Sequence, residues 1–277
     1  MRSINFAIVP PPDILKNDVE CFMVAEYAGG EGVAIKVSPS GVPGIVFQHD
    51  QGRSAIENIV TQSGRQVTTP TLFLYGPGTE PSVMNYKKGS YTTTQVILKP
   101  HALKTLLGMN ASALANGSVE LDEFSAGDLN DQLIEAHNEP ERIALLTSFL
   151  LARVMEANTR DTLVEESLRL IHQDIAFVDV RYLRQHLNLS ERQFERRFSQ
   201  TVGLSPQAYI RVKRFNEAIR LMKTGQYARL TDVAHALNFH DQSHFIRDIK
   251  EFSGMTPKSL SQQEDDFHHG QTGYSYI

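Results

Sequence analysis

Hydrophobic and polar positions follow two different rhythms along this chain. In the first hundred or so residues, short runs rich in β-formers recur at 21–27, 33–37, 44–48, 71–75 and 91–98. Gly and Pro punctuate them at Gly29-Gly30, Pro39 to Gly44 and Gly76-Pro77-Gly78. That spacing predicts an antiparallel sheet, sandwich or small barrel. Further on, the period changes to that of helices. A short helix is expected over 101–107 and a helical pair over 129–136 and 142–157, broken at Glu139-Pro140. In the second of the pair, Leu145, Phe149, Ala152 and Met155 step by three and four and form one apolar face. From 163 to 263 the pattern is helical throughout, with brief turns. The fold class expected is α+β in two domains: a β-rich domain with a helical end over 1–160, an all-α domain over 161–263, then a loose polar tail over 264–277.

Composition narrows the classes of function. With 277 residues, 41% hydrophobic and 21% charged, the chain suits two folded domains. Cys21 is the one cysteine, so a Cys-rich zinc module is excluded, and core packing is its expected role. No apolar run is long enough to span a membrane, and Pro10, Pro11 and Pro12 interrupt any leader-like start, so a cytoplasmic protein is expected. The net charge of −5 speaks against nucleic acid until it is divided. Residues 163–260 carry 15 Lys and Arg against 11 Asp and Glu, a net of +4, and the rest of the chain carries −9. An acidic protein thus contains a basic module.

Inside that module one plan occurs twice. Asp179 is placed to cap a short helix that runs to Leu187, and Asn188-Leu189 turn the chain. Ser190 and Gln193 then form a capping-box pattern that opens a second helix. Phe194 and Phe198 share its inner face, and Arg192, Arg196 and Ser199 share the outer one. The second occurrence runs from Leu230. Val233, Ala234 and Leu237 form an apolar side, Asn238-Phe239 the turn, and Asp241 the cap of a helix with Phe245, Ile249 and Phe252 inward. Ser243 and Arg247 point away, flanked by Gln242 and His244. Each occurrence is a helix-turn-helix layout whose second helix fits a DNA major groove. Between them, 206–222 predicts a long helix with Ala208, Val212, Phe215, Ile219 and Met222 on one stripe. It acts as a strut that can present both reading helices to grooves about 34 Å apart.

The run LSERQFERRFSQTVGLSPQAYIRVKRFNEAIRLM, followed by VAHALNFHDQSHFIRDIKEFSGMTPKSL, resembles the DNA-binding domain of the AraC/XylS-type bacterial transcription regulators. The residues that carry the likeness include Ser190, Arg196, Phe198, Gly203, Pro206, Arg214, Ala218, Ser243, Phe245, Lys250, Gly254 and Pro257. The resemblance implies seven helices with two helix-turn-helix units. It also implies base-facing positions at Arg192, Glu195 and Arg196, and at Gln242, Ser243, His244 and Arg247. Arg211, Lys213, Lys223 and Lys250 are the candidate phosphate contacts. Departures from the family pattern are Asn188 and Asn238 where Gly is usual, Arg184 where a small residue is usual, Arg229 at a cap, Ile249 where Phe is usual, and Asp248 on the second reading helix. The segments PSGVPGIVFQHD, TLFLYGPGTEP and TTTQVILKPHALKTLLGMNASAL resemble the β-rich sensor region of one branch of these regulators. That likeness implies a cupin-like domain that senses a small molecule or pairs with a second copy.

The expected function is therefore a sequence-specific, promoter-binding transcription regulator, controlled by a ligand or by dimerisation. Its partners would be double-stranded DNA, a small-molecule effector, a second copy through the helices of 128–157, and RNA polymerase. The rival reading is a ligand-binding or interaction module whose helical domain has lost DNA binding. No catalytic residue, cofactor or metal is expected. His235, His240 and His244 lie close in sequence, but no Cys or carboxylate pattern completes a zinc site. His49 and His101 are too far apart for the cupin metal motif, and Gly76-Pro77-Gly78 lacks the Lys-Ser/Thr of a phosphate loop.

Overall fold

The computed structural model describes residues 3–28, 30–124, 126–157, 160–225, 227, 229–261, 267–269 and 273–276. Two antiparallel sheets make up the first part of the chain. Sheet one is ordered β1 (Ser3–Val9), β2 (Val19–Ala28), β9 (Tyr91–Leu98), β4 (Gly44–Gln48), β7 (Leu72–Tyr75), β10 (Ser118–Glu120). Sheet two is built from β3 (Val33–Val37), β5 (Ile56–Thr61), β6 (Gln66–Val67) and β8 (Ser82–Tyr86). It is extended at the β3 edge by β11 (Phe267–His269) and β12 (Gly273–Tyr276). All five predicted strands are present. Strands β1, β5, β6, β8, β10, β11 and β12 had no counterpart in the expected set.

Sheet one is covered on both faces, and the pleat decides which residue goes where. Successive side chains point to opposite faces. Ile45 and Phe47, Leu72 and Leu74, and Val96 and Leu98 therefore join one core cluster with Ala102, Leu103, Leu129, Leu133, Leu146 and Leu150 of the following helices. Their neighbours Val46 and Phe73 join Tyr27, Val33, Ile56 and Tyr86 in a second cluster between the sheets. Strand β4 is consequently buried at all five positions, with Ile45, Val46 and Phe47 as an apolar run ahead of Gln48.

The helices are α1 (Ala102–Leu107), α2 (Leu129–Glu135) and α3 (Glu139–Glu156). Pro140 does not break the pair at that point; it sits in the first turn of α3, where a missing N–H costs nothing, and Asn138 caps the helix. The buried face of α3 is also displaced by one residue from the expected one. Leu146 and Leu150 are buried, whereas Ala152 is exposed and Met155 is 85% exposed. This helix packs on α1, α2, β9 and the turn Asp13–Leu15, so its apolar side is intradomain core.

The rest is all-α: α4 (Thr162–Gln173), α5 (Val180–His186), α6 (Glu191–Val202), α7 (Pro206–Lys223), α8 (Leu230–Ala236), α9 (Gln242–Ser253) and α10 (Pro257–Ser261). The polar tail is not loose over its described residues. Strands β11 and β12 form an antiparallel pair, and Ser275 and Tyr276 of β12 pair with Val37 and Lys36.

Candidate nucleic-acid interface

Local sequence chemistry builds both units in the same way. Asp179, Ser190 and Asp241 each accept a hydrogen bond from the backbone N–H three residues on, and Ser190 with Gln193 completes a capping box. Asn188 and Asn238 both hold positive φ, 59° and 52°, the left-handed conformation that Asn tolerates best after Gly. The backbone bonds around them repeat as well: Leu189 N–H to Arg184 O in the first unit, Phe239 N–H to Ala234 O in the second. The first helices and turns are offset by 50 residues and the reading helices by 51, so His240 is one extra residue in the second turn.

Aromatic and aliphatic side chains dominate the inner faces. Phe194 and Phe198 of α6 and Phe245, Ile249 and Phe252 of α9 are 0–1% exposed. Helix α7 runs between the units and is buried nearly all round, with Val212, Phe215 and Ile219 at 0%. Arg214 of α7 holds the two units together. Its guanidinium donates to Ile175 O and Val178 O ahead of α5, and lies over the Phe239 ring in the second turn. Sequence likeness marked Arg214 without giving it a role.

The expected base-facing positions split by exposure. Arg192, Arg196, Gln242, Ser243 and Arg247 are exposed. Glu195 is half-buried, and that burial followed by nearby Glu191 raises its carboxyl above the ordinary value. His244 is half-buried against Phe239, with Nε2 3.6 Å from Asp248 Oδ1. Asp248 itself does not face outward as an extra acid on the reading helix. It is 3% exposed and turned inward, where Arg211 donates to it at 2.8 Å.

Arg211 and Lys213, both candidate phosphate contacts, are engaged within the protein. Arg211 is bound by Asp248 and by Glu251, at 2.8 and 2.7 Å, and Asp248 first and Glu251 second hold its guanidinium well above its ordinary pKa. Its guanidinium also lies over the Phe252 ring, 5.1 Å from the centroid. Lys213 donates to Ser40 O at 3.4 Å. Desolvation there pushes its ammonium down to about 8, against the opposing pull of Glu20. Lys250 is exposed and Lys223 half-buried.

Lys213 belongs to a contact between the helical and β-rich parts. Asn216, one turn on, donates to Pro39 O at 3.3 Å. Tyr209 is 0% exposed, with its hydroxyl 3.0 Å from His172 Nε2. The end of α6 seats on the other side of the same interface. Gly203 holds φ +89°, and a Cβ there would stand 2.7 Å from Pro77 Cγ and 2.9 Å from Ala111 O. The segments that receive α6 and α7 also wall a cavity of about 240 Å3 between the two sheets: Ser38 to Ser40 on one side, Gly76, Gly78, Asn116 and Gly117 on the other.

Paired, capped helix-turn-helix units on a common strut define a DNA-binding domain. Residues 183–263 match the family model of a helix-turn-helix domain, and residues 7–120 that of a domain of unknown function (DUF6597). The C-terminal part of the chain is an AraC-type helix-turn-helix domain. The HTH-type transcriptional activator RhaS of Escherichia coli (strain SE11) is 30% identical over 83 residues, 30% of each chain. RhaS of Pectobacterium carotovorum subsp. carotovorum (strain PC1) is 32% identical over 81 residues, 29% of each chain. These alignments span less than a third of the length of either relative. Among solved structures, ToxT from Vibrio cholerae aligns over 87% of this chain and 97% of its own, at 13% identity and a TM-score of 0.49.

Proposed function

We propose that this chain is a sequence-specific DNA-binding transcription regulator whose β-rich half holds a small effector. The observation that supports it best is the duplicated reading helix, capped, exposed on one face and joined to its copy by α7. Arg192 and Arg196 of α6 read one major groove, and Gln242, Ser243, His244 and Arg247 of α9 the next. Lys250 and Lys223 supply phosphate contacts in this reading, and Arg211 and Lys213 serve the protein's own packing. An effector in the cavity would act on the domain contact directly, because the segments carrying Pro39, Ser40 and Pro77 are shared between the two. Dimerisation and contact with RNA polymerase belong to the same proposal.

Selection of bound sequences from a random duplex pool tests it. The expected result is an enriched site with two conserved segments one helical turn apart. The occupied state of Arg211 and Lys213 favours one alternative, a helical domain that has lost DNA binding. Absence of any enriched sequence at low salt would establish that alternative.

A further inference from the structure

The space between the two sheets has a chemistry of its own. Its volume is about 240 Å3. An apolar cavity of about 150 Å3 already holds a benzene ring, so there is room here for one or two fused rings. Met23, Val46, Phe73 and Met84 supply apolar wall. Three wall tyrosines are stacked. Tyr91 lies between Tyr27, centroids 5.0 Å apart, and Tyr86, centroids 4.6 Å apart and planes within 8°.

The three hydroxyls differ. Tyr27 Oη donates to Glu31 O at 2.9 Å, and Thr93 hydrogen-bonds the Tyr86 phenol. Tyr91 Oη is buried and finds no hydrogen-bond partner among the described residues. A buried hydroxyl left unpaired is costly and uncommon, which points to a partner that is not part of the chain. Burial, then Tyr86 and Tyr27, hold this phenol far above its ordinary pKa, so it stays an O–H donor. Neither charged residue of the wall is buried: Arg65 is exposed and Glu80 half-buried. The two have opposite signs, and Glu80 is held by the Ser63 N–H and hydroxyl at 3.0 and 3.2 Å. An ion buried without a counter-charge would lose several kcal/mol of hydration.

We infer that this cavity binds a small, uncharged aromatic molecule carrying one hydrogen-bond acceptor, to which the Tyr91 hydroxyl donates. The inference deepens the proposed function, and rests on it only in calling that molecule an effector.

Calorimetric titration of the full chain, without DNA, tests the chemistry with four probes: 2-acetylnaphthalene, naphthalene, 2-naphthoate and decanoate. The ketone is expected to bind about tenfold tighter than naphthalene, the scale of one buried hydrogen bond. The two anions are expected to bind no tighter than naphthalene. Tyr91→Phe keeps the ring stack and removes only the hydroxyl. It should bring the ketone to the affinity of naphthalene and leave naphthalene unchanged. Near-UV circular dichroism of the wild-type tyrosines adds a readout independent of the variant: the ketone should change it and decanoate should not. An anion binding tighter than the ketone, an unchanged ketone-to-naphthalene ratio in Tyr91→Phe, or no binding of any probe each overturns the inference. DNA binding is measured separately on the selected duplex. Failed probe binding with intact DNA binding overturns this inference alone. Intact probe binding with no DNA binding overturns the regulatory reading alone.

Discussion

The two turn asparagines show how far single residues carry this fold. Asn188 and Asn238 stand at positive φ, where an L-residue with a Cβ is strained by about 1–2 kcal/mol. Asn188→Gly should therefore leave the melting temperature unchanged or raise it, and Asn188→Ala should lower stability by about 1 kcal/mol in a denaturant melt. Ser190 is a cap of the same order: Ser190→Ala should cost about 1 kcal/mol, since it strips a partner from the Gln193 N–H and undoes the capping box. Base contacts have a different signature. Arg192→Ala and Arg247→Ala should each weaken binding to a selected site by about 1–3 kcal/mol and relax preference at one base, with stability unchanged. Equal affinity of parent and both variants would remove these residues from the reading surface.

At the scale of elements, the apolar period was informative wherever a helix or strand has one buried side. Helices α6 and α9, with their caps, were legible because Phe194, Phe198, Phe245 and Ile249 recur at helical spacing behind a capping residue. Strand β4 was legible through the apolar run of Ile45, Val46 and Phe47. Strands β5 and β8 were not, because IENIVT and SVMNY mix polar residues with apolar ones and most of their positions are only half-buried. The face of α3 was misplaced because Leu145 to Leu151 is apolar at nearly every position, and only the packing against α1 and β9 selects Leu146 and Leu150. The charges were the least legible part of the site. Composition marks Arg211 as a cation on a basic module; only the fold brings it 37 residues along the chain to Asp248. Arg211→Ala should strip that inward carboxylate of its bidentate cation and cost about 3 kcal/mol in a thermal melt. A loss of DNA affinity without a loss of stability would instead return Arg211 to the phosphate-contact set.

For the whole molecule, the contact between its two parts is titratable. Lys213 is depressed to about 8 where it meets Ser40, against an ordinary value of 10.5. Between those values the folded, docked chain binds fewer protons than the unfolded one, so stability rises with pH across the window. Below pH 8 the lysine is charged in both states and the desolvation cost is felt in full. The melting temperature of the wild type relative to Lys213→Met should therefore rise from pH 8 to 10.5, and a flat difference would show that the lysine is not desolvated by docking. Gly203 reports on the same contact from α6. Gly203→Ala places a methyl against Pro77 and the Ala111 carbonyl at a backbone angle that disfavours any side chain. It should loosen docking and increase proteolytic cutting between α3 and α4.

The final hairpin also makes the helical half an insertion. Strands β11 and β12 bring the chain back to β3, so helices α4 to α10 lie between strands of one sheet. Removing everything after α3 would strip β3 of its outer neighbour and uncover a row of unpaired N–H and C=O groups, a template for edge-to-edge aggregation. A soluble fragment of the β-rich half is therefore best made by joining 261–277 back through a flexible linker, not by truncation. Light scattering should show the truncated fragment self-associating and the rejoined one staying dispersed.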